Sequence, residues 1–244
     1  MHVSQATNTQ HAAETEHVLL HHFGDLEQQR QSATLGMWVF LITEIMFFGG
    51  LFAGYMIYRL AFFNAFAAGS NTLDLRLGAI NTAVLIASSL TMALAVHAAQ
   101  IGARKKTVLY LLGTIVLGLV FLGIKVVEYA DKFEHHHVPG QYFEFQEPVS
   151  LAHGEQAQGE HAQSRIDPRH AELFFGFYFA MTGMHALHMI IGVGILAVLT
   201  FLAWRGRYGP QYHTPVHNVG LYWHFVDIVW IFLFPLLYLI SRHG

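Results

Sequence analysis

The chain has 244 residues, 54% of them hydrophobic and only 12% charged, with a mean hydropathy of +0.39. A soluble domain carries about a quarter charged residues, so this balance points to a polytopic membrane protein. A net charge of −3 is too weak for a nucleic-acid partner. The absence of cysteine excludes disulfides, iron–sulfur clusters, thiolate zinc sites and a thiolate-bridged copper centre.

Residues 1–32 form a polar segment rich in His and Gln, with Arg30 its only Lys or Arg. They hold no apolar core of a signal peptide, so the first apolar span is expected to act as the insertion signal. Stretches long enough to cross about 30 Å of hydrocarbon as helix then occur at 35–58, 77–99, 108–129, 173–204 and 219–240. The expected fold class is therefore all-α, a single five-helix transmembrane bundle over 33–244. The connection "QIGARKKT" and the stretch "WRGRYGPQYHTPVH" put Arg104, Lys105, Lys106, Arg205 and Arg207 on one side. The positive-inside rule makes that side cytoplasmic, with the N-terminus inside and the C-terminus outside. An extended external loop is expected at 130–170, including a low-complexity Ala, Gly, Gln, Glu and His tract and "HHH" at 135–137. Three consecutive imidazoles rarely converge on a metal.

Span by span, polar residues stand where lipid would penalise them. Glu44, near the centre of the first span, costs several kcal/mol unless paired, hydrated or protonated. It reads either as a ligand-contacting residue or as a carboxyl that glues helices together. Gly50 and Gly54 follow at the GxxxG spacing that allows close helix packing. In the third span Lys125 and Glu128 stand at i,i+3, the spacing of an ion pair. "GMHALHMIIG" places His185 and His188 on one face of the fourth span. A metal there needs further ligands from other helices, so hydrogen bonding is the simpler reading. In the fifth span "LYWHFVDIVWIFLF" carries His224 and Asp227, again at i,i+3, with Trp223 and Trp230 on a shared face. A proton relay is one reading, and a structural polar pair between helices is the more economical one. His185 and His188 are the expected partners of His224 and Asp227.

In this order, "WVFLITEIMFFGGLFAGY", "LGAINTAVLIASSLTMALAVHAA", "LLGTIVLGLVFLGIKVVEY", "FYFAMTGMHALHMIIGV" and "LYWHFVDIVWIFLF" resemble subunit III of the haem-copper oxidases, the cytochrome c oxidase subunit III family. Glu44 matches the family's buried glutamate, and Trp223, His224, Phe225, Val226 and Asp227 match its most recognisable segment. The chain resembles the five-helix bacterial class, which lacks the first two helices of the seven-helix form. An acidic residue often found shortly before Trp-His-Phe is replaced by His217 and Asn218.

The resemblance implies a non-redox subunit of a proton-pumping cytochrome c oxidase in the bacterial inner membrane. No cofactor is expected on this chain, because haem and copper sit in partner subunits. The implied partners are subunit I, subunit II and structural phospholipids, with Arg205 and Arg207 as headgroup candidates. The loop at 130–170 is a candidate contact for cytochrome c or another periplasmic subunit. The rival readings are the equivalent subunit of a quinol oxidase or nitric oxide reductase, and an independent ion carrier using Glu44.

Overall fold

The computed structural model describes residues 25–134, 167–210 and 212–239. Six α-helices occupy most of them: α1 (Leu26–Ala61), α2 (Phe63–Asn71), α3 (Leu75–Gln100), α4 (Arg104–Glu134), α5 (Pro168–Trp204) and α6 (Thr214–Phe234). A single π-helical turn, Pro235–Leu239, continues α6. Among the described residues there is no strand, only an isolated bridge between Gly209 and Tyr212. Five helices, all except α2, are long and apolar enough to cross a membrane.

Local signals explain where the helices begin and end. Asp25, Asp74 and Asp167 cap α1, α3 and α5, accepting hydrogen bonds from Gln28 N–H at 2.6 Å, Arg76 N–H at 2.8 Å and Arg169 N–H at 2.9 Å. Pro168 occupies the first turn of α5, where its missing N–H costs nothing. At the other ends Gly102 (φ 73°) and Gly206 (φ 81°) adopt the left-handed conformation that closes α3 and α5. There Ala103 N–H reaches Ala98 O at 2.9 Å and Arg207 N–H reaches Leu202 O at 3.1 Å.

Two helix boundaries extend beyond the apolar spans. The Asp25 cap and a Glu27–Arg30 ion pair at 2.7 Å start α1 inside the polar segment 1–32, ahead of the apolar span. The helix α4 continues to Glu134, so the connection to α5 is shorter than 130–170. The histidines at 135–137 and the low-complexity tract lie outside the described residues.

Four helices close a ring: α3 lies beside α4, α4 beside α5, α5 beside α6, and α6 returns to α3. The outlying α1 packs on the seam between α5 and α6. Buried positions recur every three or four residues, as Gly78, Asn81, Leu85, Ser88, Met92 and Ala95 on α3 and Leu111, Thr114, Gly118, Phe121, Lys125 and Glu128 on α4. Ile86, Leu90, Val116 and Val126 face outward. Polar groups thus turn inward and aliphatic ones outward, as a lipid solvent requires.

Trp223 pins the ring. Its indole lies where a Cβ on Gly118 of α4 or Gly192 of α5 would meet it at 2.9 Å, and its N–H donates to Ser88 Oγ on α3 at 3.0 Å. The close approaches in this chain therefore belong to Gly69, Gly78, Gly118, Gly192 and Gly220. In the GxxxG pair, a Cβ on Gly54 would meet the Phe177 ring at 3.4 Å while one on Gly50 would face open space, so Gly50 packs no helix among the described residues.

Candidate functional site

Three polar clusters lie within the bundle. The first joins α1 to the ring. His188 Nε2 stands 3.1 Å from Glu44 Oε2, with the side chains 11% and 19% exposed. His188 Nδ1 lies 2.8 Å from Met184 O, and a carbonyl only accepts, so Nδ1 carries a proton. One further proton is then shared between Nε2 and the carboxyl, giving either an ion pair or a neutral pair. Tyr222 O–H donates to His188 O at 2.9 Å, holding the turn of α5 against α6. The pair lines a cleft of about 350 Å³ with Met37, Phe40, Ile191, Ile195, Val219 and Tyr222.

The second cluster is centred on Lys125 and Glu128, both nearly inaccessible at 2% and 3%. Lys125 Nζ donates to Glu128 Oε2 at 2.7 Å and to Tyr238 Oη at 3.0 Å. Glu128 Oε1 accepts from Tyr178 O–H at 2.8 Å and from Tyr238 O–H. The ammonium also lies 4.5 Å from the Trp230 ring and 5.6 Å from those of Tyr178 and Tyr238. The expected ion pair is present. It lies in the protein interior rather than near water, and α5 and the π turn supply its other hydrogen bonds.

The third cluster runs along α3 and α6. Ser89 Oγ and His224 Nδ1 are 2.7 Å apart, and Trp230 N–H donates to Thr82 Oγ1 at 3.1 Å. Asp227 is 3% exposed and neither of its oxygens makes a hydrogen bond of ordinary geometry, with the Ser89 hydroxyl, 2.7 Å from His224 Nδ1, as its polar neighbour. His185 is fully buried between Phe121 and Trp230, with ring centroids at 5.4 and 5.3 Å, and neither nitrogen is hydrogen-bonded. The expected partnership of His224 and Asp227 with His185 and His188 is therefore not formed. The two histidines of α5 point to different neighbours, His188 to α1 and His185 into the ring. On its other flank His224 borders an apolar cleft of about 530 Å³ between α1 and α6.

Arg205 and Arg207 are exposed at the basic end, with the Arg205 guanidinium 4.7 Å from the Phe201 ring. In the same connection, burial first and the neighbouring Tyr212 second push the Tyr208 phenol up to about 12. Among the described residues no three His, Asp or Glu side chains converge to hold a metal ion. Sequence reasoning missed Tyr178, Tyr238 and Ser89. Each is a hydroxyl that meets a flagged residue of a different element, and only tertiary packing pairs them.

The family model for cytochrome c oxidase subunit III matches residues 21–136 and 169–242. The chain belongs to the cytochrome c oxidase subunit III family. The unmatched stretch falls in the connection from α4 to α5, so all three clusters lie within matched residues of this subunit III chain. It is 32% identical over 213 residues to cytochrome c oxidase subunit 3 of Thermostichus vulcanus, covering 85% of this chain and 87% of the relative. It is 31% identical over 214 residues to quinol oxidase subunit 3 of Bacillus spizizenii, covering 86% and 88%. It is 28% identical over 241 residues to cytochrome bo(3) ubiquinol oxidase subunit 3 of Pseudomonas aeruginosa, covering 98% and 99%.

Proposed function

We propose that this chain is the non-redox third subunit of a respiratory cytochrome c oxidase, supporting subunit I during reduction of oxygen to water. The observation that carries this reading is the family match on both sides of the α4–α5 connection. Haem and copper then belong to subunits I and II. The chain contributes a rigid polar-cored bundle, and Glu44 and His188 stand at its lipid-side cleft. The basic end carrying Arg104, Lys105, Lys106, Arg205 and Arg207 faces the cytoplasm of a bacterial inner membrane, as the positive-inside rule favours. The C-terminus then lies outside.

Within this reading, Glu44 and His188 help keep proton uptake by subunit I intact during turnover. Phospholipids fill the clefts beside Glu44 and His224, with Arg205 and Arg207 as headgroup contacts. The open flank of α1 around Gly50 is the place for a helix of subunit I. The connection between α4 and α5 is the candidate contact for cytochrome c or a periplasmic subunit. Co-purification from native membranes tests the reading. Recovery with haem-bearing subunits I and II, and oxygen uptake driven by reduced cytochrome c, is the expected result. Recovery free of any oxidase would end it.

A second reading has an observation in its favour. The relative named as a ubiquinol oxidase subunit aligns over 98% of this chain. If the chain serves a quinol oxidase, the co-purified subunit II lacks a two-cysteine copper centre, and quinol rather than cytochrome c supports oxygen uptake.

A further inference from the structure

Proton-exchanging side chains follow one another from the α1–α5 join into the ring interior. From the basic end, the Glu44–His188 pair at the cleft comes first. One turn further along the same face of α5 is His185, fully buried and without a hydrogen bond. Lys125 follows, and beyond it Glu128 with the phenols of Tyr178 and Tyr238. On α4 the order Phe121, Lys125, Glu128 runs away from the basic end, and Phe121 packs edge-on against His185 at 5.4 Å. The ammonium is therefore the end of the ion pair nearer the imidazole, and Trp230 touches both, 4.5 Å from the ammonium and 5.3 Å from His185. Imidazole, carboxyl and phenol all exchange protons. In a membrane holding a proton gradient, such a file is a potential leak.

We propose that Lys125 is an electrostatic barrier that keeps this file from conducting protons. An ammonium has three donors and no acceptor, so a proton arriving from either side finds no lone pair to receive it. Its fixed charge also disfavours an excess proton on His185, as positive barriers do in water-selective pores. Three features face the ammonium: Glu128 Oε2 at 2.7 Å, the Tyr238 oxygen at 3.0 Å and the face of Trp230. Bundle stability alone does not call for this arrangement, because buried ion pairs are commonly replaceable by apolar side chains at no cost. Around His185 the ring presents Lys125 and His188 as its charged or titratable neighbours, with Phe121 and Trp230 as the apolar wall.

The inference rests on the chain serving in an energised membrane, and its test needs no electron donor. The purified complex is reconstituted in liposomes with a trapped pH dye, and proton influx is driven by a valinomycin-clamped potassium potential. The neutral variant Lys125→Gln/Glu128→Gln is expected to raise influx several-fold over the wild-type complex. Adding His185→Phe to it is expected to bring influx back down, because the file then lacks its acceptor. Unchanged influx in the neutral variant, or a rise that survives His185→Phe, overturns the proposal. His185→Phe in the otherwise wild-type complex keeps the ion pair and can still overturn the proposal if the neutral variant does not assemble. Unchanged influx supports a file already blocked, whereas a fall shows protons passing His185 and overturns it. A complex that cannot reduce oxygen counts against the oxidase reading and leaves the flux comparison intact.

Discussion

Glu44 Oε2 and His188 Nε2, 3.1 Å apart, form the polar join between the outlying helix α1 and the four-helix ring. Around this pair α1 meets the ring through apolar surface, including Phe48 edge-on to His188 at 5.4 Å and to Phe225 at 6.2 Å. Lipid competes for such surface as well as protein does, so the shared proton carries much of the specificity of this contact.

Replacing Glu44 by Ala strands the imidazole in a poorly hydrated site, at a cost of about 1–3 kcal/mol. Glu44→Gln keeps a hydrogen-bonding group and should cost less. Thermal unfolding of the purified complex is expected to rank wild type above Glu44→Gln above Glu44→Ala. Equal midpoints for all three would show that the pair does not hold α1. If the proposed role in proton uptake is correct, Glu44→Gln also shortens the number of turnovers before inactivation while sparing the initial rate.

The Trp223 pin gives an opposite pair of expectations for glycine. Gly118→Ala or Gly192→Ala places a methyl 2.9 Å from the indole, and overpacking of this kind typically costs about 1–3 kcal/mol. Gly50→Ala meets nothing within 4 Å in this chain and should leave the isolated subunit unchanged. Any loss of assembly with Gly50→Ala then reports a neighbouring subunit on that flank, which co-purification of subunit I would measure.

At the buried ion pair, Lys125→Met leaves Glu128 without its cation, and removing one member of such a pair costs about 3–5 kcal/mol. The double variant Lys125→Gln/Glu128→Gln removes both charges together and should be far better tolerated. Yield and unfolding temperature of the two variants check this. A double variant less stable than the single one would mean the pair is not balanced as the geometry implies.

The short helix α2 is tied to the end of α6 by side chains that reach freed carbonyls. Ser70 O–H donates to Leu237 O at 2.6 Å, and Tyr55 O–H from α1 donates to Leu236 O at 3.1 Å. Lys132 Nζ adds a bond to Thr72 O at 2.8 Å. Ser70→Ala leaves a buried carbonyl unpaired and should destabilise the bundle by about 1 kcal/mol or more. Hydrogen exchange is expected to quicken locally at Phe63–Asn71 and the π turn. Uniform protection there would contradict the tie.

Much of the fold was legible in the chain. Five apolar stretches of spanning length are local signals that need no tertiary information, and the structure adds the caps Asp25, Asp74 and Asp167 and the stops Gly102 and Gly206. The short α2 was not legible, because its nine residues are held by Phe66 in the core and by Ser70 rather than by a pattern of their own. The site was legible in its residue types and illegible in its pairings. Glu44, Lys125, Glu128, His185, His188, His224 and Asp227 stand out as polar groups in lipid-length segments. Nothing in their spacing says that His188 turns to α1 while His185, one turn away, turns inward.

Hydropathy and composition alone show spans of membrane-crossing length, polar groups that are costly where they stand, and no thiolate chemistry. Those properties depend on residues near one another in the chain, through hydropathy, caps and the rise of a helix. Only the tertiary structure decided which helix answers each polar group. It placed α1 outside the ring, matched Glu128 with phenols from α5 and the π turn, and left Asp227 and His185 without hydrogen bonds. Burial of apolar area is non-directional, whereas hydrogen bonds of 2.6–3.1 Å between distant helices need particular side chains to meet.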